Sequence, residues 1–277
     1  KREIEREIED KEYLPVILKR NDESTRHPDD VLERAIAEGL EQHKRSAASL
    51  YLSAISAGLI LGFAGMCVAL VAQIFHESDN LLYERISMAL VYPLGFIICI
   101  MSGTQLFTEQ TATAVYPFLD REVKFRSLVM LWVIVLLGNF TGTFLSSILI
   151  YLSDDVIQAS AGFIDIYKHI IDYSFLDIFI SAILAGWLMA QGGWLILATP
   201  PTSSQIVCIY IVTFVIGLGG LHHSIAGSAE VFTGMFHSGD YDVAGIMKFL
   251  TSSVLGNLIG GSVFVGILNY AHIRKTR

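Results

Sequence analysis

Between Ile178 and Leu221 the sequence has no aspartate, glutamate, lysine or arginine. A stretch of that length without charge is unsuited to a water-facing surface. Charged residues are scarce overall, at 17% of 277, against 53% hydrophobic residues and a mean hydropathy of +0.54. That balance excludes an ordinary soluble domain and points to an integral membrane protein. Cysteine is also scarce: Cys67, Cys99 and Cys208 are an odd number in separate apolar runs, which argues against a disulfide framework and leaves them as small core residues. There is no nucleotide-binding loop, no cluster of metal ligands and no nucleophile with a convincing base, so neither an enzyme nor a cofactor is expected. The first 45 residues hold 10 Lys/Arg and 13 Asp/Glu without an apolar core, so no cleavable signal peptide is expected there. The first residue is not Met, so residues before Lys1 are expected to have been left out.

What is present is a set of apolar segments. A bilayer core takes about 20 mainly apolar residues per helix, and charge-free runs occupy residues 46–74, 86–108, 127–153, 178–221 and 249–271. The fourth is twice too long for one helix. Its interior stretch Ala198, Thr199, Pro200, Pro201, Thr202, Ser203, Ser204 has the composition of a turn, which divides it at residues 178–197 and from Gln205 onward. The expectation is an all-α membrane protein with six transmembrane helices, made of a charged cytoplasmic tail (1–45), a six-helix domain (46–273) and a short C-terminus (274–277).

Eight Lys/Arg near the ends of the segments fall on one side: Lys44 and Arg45, then Arg121, Lys124 and Arg126, then Arg274, Lys275 and Arg277. The other side holds Arg85, Lys168 and Lys248 among an excess of carboxylates that includes Glu77 and Asp79. The bias places both termini in the cytoplasm. In the tail, Pro28, Asp29 and Asp30 form a helix start, and Val31, Leu32, Ala35, Ile36 and Leu40 make an apolar stripe at helical spacing. The opening KREIEREIED reads as a solvated charged helix or disorder.

The two halves resemble each other. SAISAG at 53–58 returns as SAILAG at 181–186, and GNFTG at 138–142 returns as GNLIG at 256–260. Between them Gln105, Leu106, Phe107, Thr108 is answered by Glu230, Val231, Phe232, Thr233. Three matches in order imply a duplicated three-helix unit. Three spans is an odd number, so the copies are inverted, an arrangement that places a binding or permeation site between them. Each middle segment also carries a polar, glycine-containing patch, 102–110 in segment two and 217–230 in segment five. These predict broken helices, because irregular backbone at membrane depth survives only inside protein or beside a water-filled cavity. The second patch contains His222 and His223, ionisable groups inside a span and therefore candidates for function.

At these residues the chain resembles the formate/nitrite transporter family, which has an HSIAN-like motif in broken helix five and an LFT motif in broken helix two. Here they read His223, Ser224, Ile225, Ala226 and Leu106, Phe107, Thr108, with the GN-x-x-G elements at Gly138–Asn139 and Gly256–Asn257. The resemblance covers roughly residues 30 to 275. It implies an aquaporin-like six-helix protomer in a homopentamer, one pore per subunit, passing small monovalent anions such as formate, nitrite or hydrosulfide. It gives His223 the place of the central pore histidine and Thr108 that of the threonine facing it. Leu106 and Phe107 fall at the cytoplasmic constriction and Tyr92 at the outer one. It departs from the family at Gly227 in place of asparagine, at Glu109 after the LFT motif, and at Ile170, where a lysine is expected and Lys168 lies two residues earlier.

Crossing an apolar constriction is costly for a bare anion. A histidine that donates a proton, or polarises a weak-acid anion so that it takes one from water, lets the neutral acid pass. Asn139 and Asn257 are expected to brace the broken helices. For Glu109 and Glu230 a pore position and a hydrogen-bonding position are equally open, and His222 is expected to pack or bond at a helix contact. The expected partners are a small monovalent anion and a proton, the lipid bilayer of a prokaryotic inner membrane, and further copies of the chain, with no nucleic acid and no metal. A neutral-solute channel of the aquaporin type is the alternative, although the asparagine-proline-alanine box is missing. A non-transporting scaffold is another.

Overall fold

The computed structural model describes residues 25–76 and 80–275, and these are helical with no strand among them. The stretch 1–10, Glu77, Asp79 and Arg277 lie outside the described residues. Among the described residues six runs are long and apolar enough to cross a membrane: Ala47–Phe75, Leu81–Met101, Phe125–Leu152, Phe175–Ala198, Thr202–Gly219 and Val243–Arg274. The long charge-free run divides at Thr199, Pro200 and Pro201, where its composition placed a turn.

In chain order, α1 is the tail helix Pro28–Lys44 and α2 the first span, Ala47–Phe75. The second span comprises α3 (Leu81–Val91) and α4 (Pro93–Met101), followed by the short α5 (Phe107–Thr113) and α6 (Val115–Leu119). After α7 (Phe125–Leu152), two connecting helices, α8 (Asp154–Ile157) and α9 (Ser160–Asp172), lead to α10 (Phe175–Ala198). The chain continues as α11 (Thr202–Gly219), α12 (Ser224–Ser238) and α13 (Val243–Gly261), and after a π-type turn at Ser262–Ile267 it ends in α14 (Leu268–Lys275).

Two tight crossings organise the bundle, α2 on α7 and α10 on α13. The small-residue motifs of the sequence are what make them tight. A methyl group on Gly58 of α2 would overlap the Asn139 carbonyl of α7, and one on Gly186 of α10 would overlap the Asn257 carbonyl of α13. Without a hydrophobic driving force between helices in lipid, such close backbone approach supplies the packing energy.

The helices of segments two and five are interrupted. α4 ends at Met101 and α5 begins at Phe107; α11 ends at Gly219 and α12 begins at Ser224. Gly220 closes α11 with φ 60°, a left-handed conformation that glycine adopts without steric cost.

α1 starts at Pro28 with Asp29 and Asp30 in its first turn, where carboxylates suit the helix dipole. Its stripe of Leu32, Ala35 and Ile36 is buried against Tyr116 of α6, Ala190 of α10 and Ile273 of α14. Arg274 pairs with Glu33 at 3.1 Å and with Asp120 at 3.0 Å. The tail helix is thus bound to the ends of three spanning segments.

Candidate functional site

Breaking a helix frees backbone amides and carbonyls that the intrahelical ladder would have paired. One asparagine serves each break. Asn139 accepts from the Phe107 N–H at 2.8 Å and donates to the carbonyls of Gln105 (2.9 Å) and Ala54 (2.8 Å). Asn257 accepts from the Ser224 N–H at 2.8 Å and donates to the carbonyls of His222 (3.1 Å) and Ala182 (2.7 Å). Each side chain ties a span, a break and a half-helix together, and both are fully buried.

These bonds make Leu106 the counterpart of His223 and Phe107 that of Ser224. The sequence match of residues 105–108 with 230–233 runs in a different register. The reason is physical: the asparagines bond backbone groups, so the side chains at equivalent positions are free to differ. Glu109 and Glu230 are accordingly not equivalent, since Glu109 lies in the first turn of α5 and Glu230 well inside α12.

His223 is the N-cap of α12. Its Nδ1 accepts from the backbone N–H of Ile225 at 3.3 Å and of Ala226 at 3.2 Å. An atom facing two donors carries no hydrogen, so the ring hydrogen sits on Nε2. Nε2 lies 2.9 Å from the Thr108 Oγ1 and donates to it. The starts of α5 and α12 are thereby joined through a neutral imidazole. The Phe96 ring stands edge-on to His223, with centroids 5.0 Å apart, and Tyr92 packs on Phe96 at the same separation. Protonation of Nδ1 would remove the cap and put a cation at the positive end of the helix.

His223 also forms part of the wall of a cavity of about 550 Å³. Tyr92, His222, Gly227, Glu230 and Phe249 line it together with Glu84, Arg85, Asp165 and His169. His222 is held by the Ser181 hydroxyl, 2.8 Å from its Nδ1 and 3.0 Å from its backbone nitrogen, and lies against the rings of Tyr173 and Phe249. His222 thus bonds a neighbouring helix, yet it lines the same cavity as His223, so the two histidines do not face wholly different surroundings as their adjacency suggested.

The remaining candidates are placed differently. Leu106 and Phe107 are buried in the main apolar core beside Thr108, which is also fully buried. Glu109 borders a separate recess of about 10 Å³ with Met189, Gly193 and Thr213. Ile170 lines the large cavity, while Lys168 is exposed and does not. A Cβ at Gly227 would come within 2.5 Å of Phe249 Cζ, so the phenylalanine fills the space that a longer side chain would need.

Sequence reasoning missed Phe96, Phe249, Glu84, Asp165 and His169, which come together only through tertiary packing. Arg85 carried a signal: a lone cation at the end of an apolar run. Its guanidinium donates to the carbonyls of Leu218 (2.8 Å) and Gly219 (2.7 Å) and so closes the end of α11. Among the described residues no group of three or more His, Cys, Asp or Glu is placed to hold a metal ion.

The sequence profile of the formate/nitrite transporter family matches residues 29–271. The inner membrane protein YfdC of Escherichia coli strain K12 is 32% identical over 282 residues, covering 99% of this chain and 87% of that protein. Among solved structures, an FNT family ion channel gives a TM-score of 0.77 at 18% identity, covering 88% of this chain and 99% of its own. A pentameric formate channel with formate bound gives 0.69 at 21% identity, covering 82% and 98%. At those identities the two structures speak for the fold.

Proposed function

The chain belongs to the formate/nitrite transporter family, and from that premise we propose that it passes small monovalent anions, formate, nitrite or similar, or their conjugate weak acids. The carrying observation is the Thr108–His223 contact, set beside a cavity of about 550 Å³. The amides at the start of α12 are taken by Asn257 and by the His223 ring, so what favours negative charge there is the helix dipole. An anion arriving there meets the Thr108 hydroxyl, with no fixed cation to hold it.

Because Nδ1 serves the cap, His223 acts as a polarising donor. Its Nε2–H orients the Thr108 hydroxyl, whose own hydrogen is left for the cargo. Passage beyond this point as a bare anion is costly, so the cargo crosses Leu106 and Phe107 as the neutral acid. In this reading those two residues form the inner constriction and Tyr92 belongs to the outer one. Asn139 and Asn257 keep both half-helices in place. The large cavity faces the outside, in line with the Lys/Arg bias. The assembly is a homopentamer in a prokaryotic inner membrane, by extension from the pentameric formate channel whose fold is shared.

Purified protein in proteoliposomes tests this, with formate, nitrite, hydrosulfide, lactate, chloride and water compared with and without a pH gradient. Weak-acid anions should move, and Thr108→Val should slow them about fivefold, the equivalent of one hydrogen bond worth roughly 1 kcal/mol. Absence of flux for every weak-acid anion in assembled wild-type protein would sink the reading. Equal flux in the valine variant would take the hydroxyl off the pathway.

A further inference from the structure

Glu230 is a buried side chain, 8% exposed, on the wall of the large cavity. Its carboxyl has no hydrogen-bond or ion-pair partner among the described residues. The groups around it are occupied. Arg85 is taken by two carbonyls, His169 by the Tyr173 hydroxyl, Asp165 by His76, and the two histidines by Ser181 and Thr108. Glu84 and Tyr92 complete the titratable lining, and α2 and α13 contribute only Val68, Ala72 and Phe249. Gly65 of α2 gives the carboxyl its room, since a Cβ there would lie 3.2 Å from Glu230 Cγ.

Its oxygens are not sealed inside the protein but open onto the cavity, so whatever bonds them comes from the cavity itself. Packing does not explain the carboxyl, because glutamine would fill the same volume. The cavity wall carries three carboxylates, Glu84, Asp165 and Glu230, against the single engaged Arg85, an arrangement hostile to a bare anion and favourable to protons. His223 cannot supply a proton and keep its neutral, capping form, because its one ring hydrogen is on Nε2 and its Nδ1 is engaged.

We propose that Glu230 is the proton-exchanging and selecting group of this cavity, which restricts the cargo to conjugate bases of weak acids. The proposal rests on the transport reading above and deepens it. In the step, the O–H bond of the Glu230 carboxylic acid breaks and a new O–H bond forms on the weak-acid anion. The neutral acid moves toward Thr108. The negative charge stays on Glu230, in the cavity rather than the constriction, until a proton from the cavity water restores the acid. A glutamic acid and a small carboxylic acid are close in acidity, so neither direction is blocked. Chloride and nitrate accept no proton under these conditions and are refused.

The test compares wild type, Glu230→Gln and Glu230→Asp in proteoliposomes, reading formate influx across external pH together with chloride and nitrate influx. Glu230→Gln should lower formate flux near neutral pH by roughly tenfold or more, in line with the loss of a positioned proton donor. Its remaining flux should follow only the formic acid present in bulk water, and exclusion of chloride or nitrate should weaken. Glu230→Asp retains an exchangeable proton and should restore much of the flux with a displaced pH profile. Wild-type flux and an unaltered pH profile in the glutamine variant overturn the proposal while leaving the transport reading intact. No formate or nitrite flux in wild type defeats the transport reading itself. If the glutamine variant does not assemble, the aspartate variant decides: a displaced profile supports the role and an unchanged one removes it.

Discussion

His223 and His222 are adjacent in sequence and do different work. His223 caps α12 through Nδ1 and reaches Thr108 through Nε2, whereas His222 is pinned to Ser181 on α10. Asparagine is among the best N-cap residues, so His223→Asn should preserve α12 while removing the imidazole donor. Weak-acid flux should fall about fivefold, the loss expected of one hydrogen-bond donor worth roughly 1 kcal/mol, with the shape of its pH dependence retained. His222→Asn should instead lower thermal stability, by about 1 kcal/mol for the one side-chain hydrogen bond to Ser181 that is lost, with flux per assembled protein little changed. Liposome flux and a detergent melting curve, measured on both variants, check the pair. Loss of pH dependence in His223→Asn, with an intact profile in Glu230→Gln, would move proton exchange to the histidine.

At the scale of elements, the spans were readable because bilayer burial imposes a one-dimensional rule: about 20 residues without charge. The motifs holding Gly58 and Gly186 were read as a repeat, and close packing, which demands small residues, is why they also mark the crossings. The register between the two broken helices was not readable, because Asn139 and Asn257 recognise backbone groups, which every residue has. Nor was the partnering of Gly227 with Phe249, 22 residues on in another helix. This pair gives a prediction. Gly227→Asn should destabilise the protein by several kcal/mol, as overpacking of a well-filled site does at its upper end. The double change Gly227→Asn with Phe249→Ala should recover a large part of that loss, since the ring is what the new side chain meets. Unfolding of the single and double variants in mild detergent measures the coupling. Additive effects would mean that the ring yields on its own.

For the molecule as a whole, the described residues hold six runs long and apolar enough to cross a membrane; an even number of crossings returns the end of the last to the side where the first began. The Glu33–Arg274 pair at 3.1 Å then brings α1 and α14 together directly. The bias of Lys and Arg toward that side supports the proposal that it is the cytoplasmic one. Large apolar side chains such as Leu137, Leu149, Leu184 and Ile211 remain exposed along the spans, a surface suited to lipid or to neighbouring subunits. In the pentameric assembly proposed above, five copies share it. Tags at the two ends should be protected from protease added outside intact cells and cleaved after the membrane is opened. Particles in mild detergent should have the mass of five chains and the outline of a ring. Breaking the Glu33–Arg274 pair by Glu33→Gln should alter neither result, because a partly exposed ion pair is worth about 1 kcal/mol or less. Cleavage of either tag in intact cells would reverse the orientation, and a stable single-chain particle would remove the pentamer.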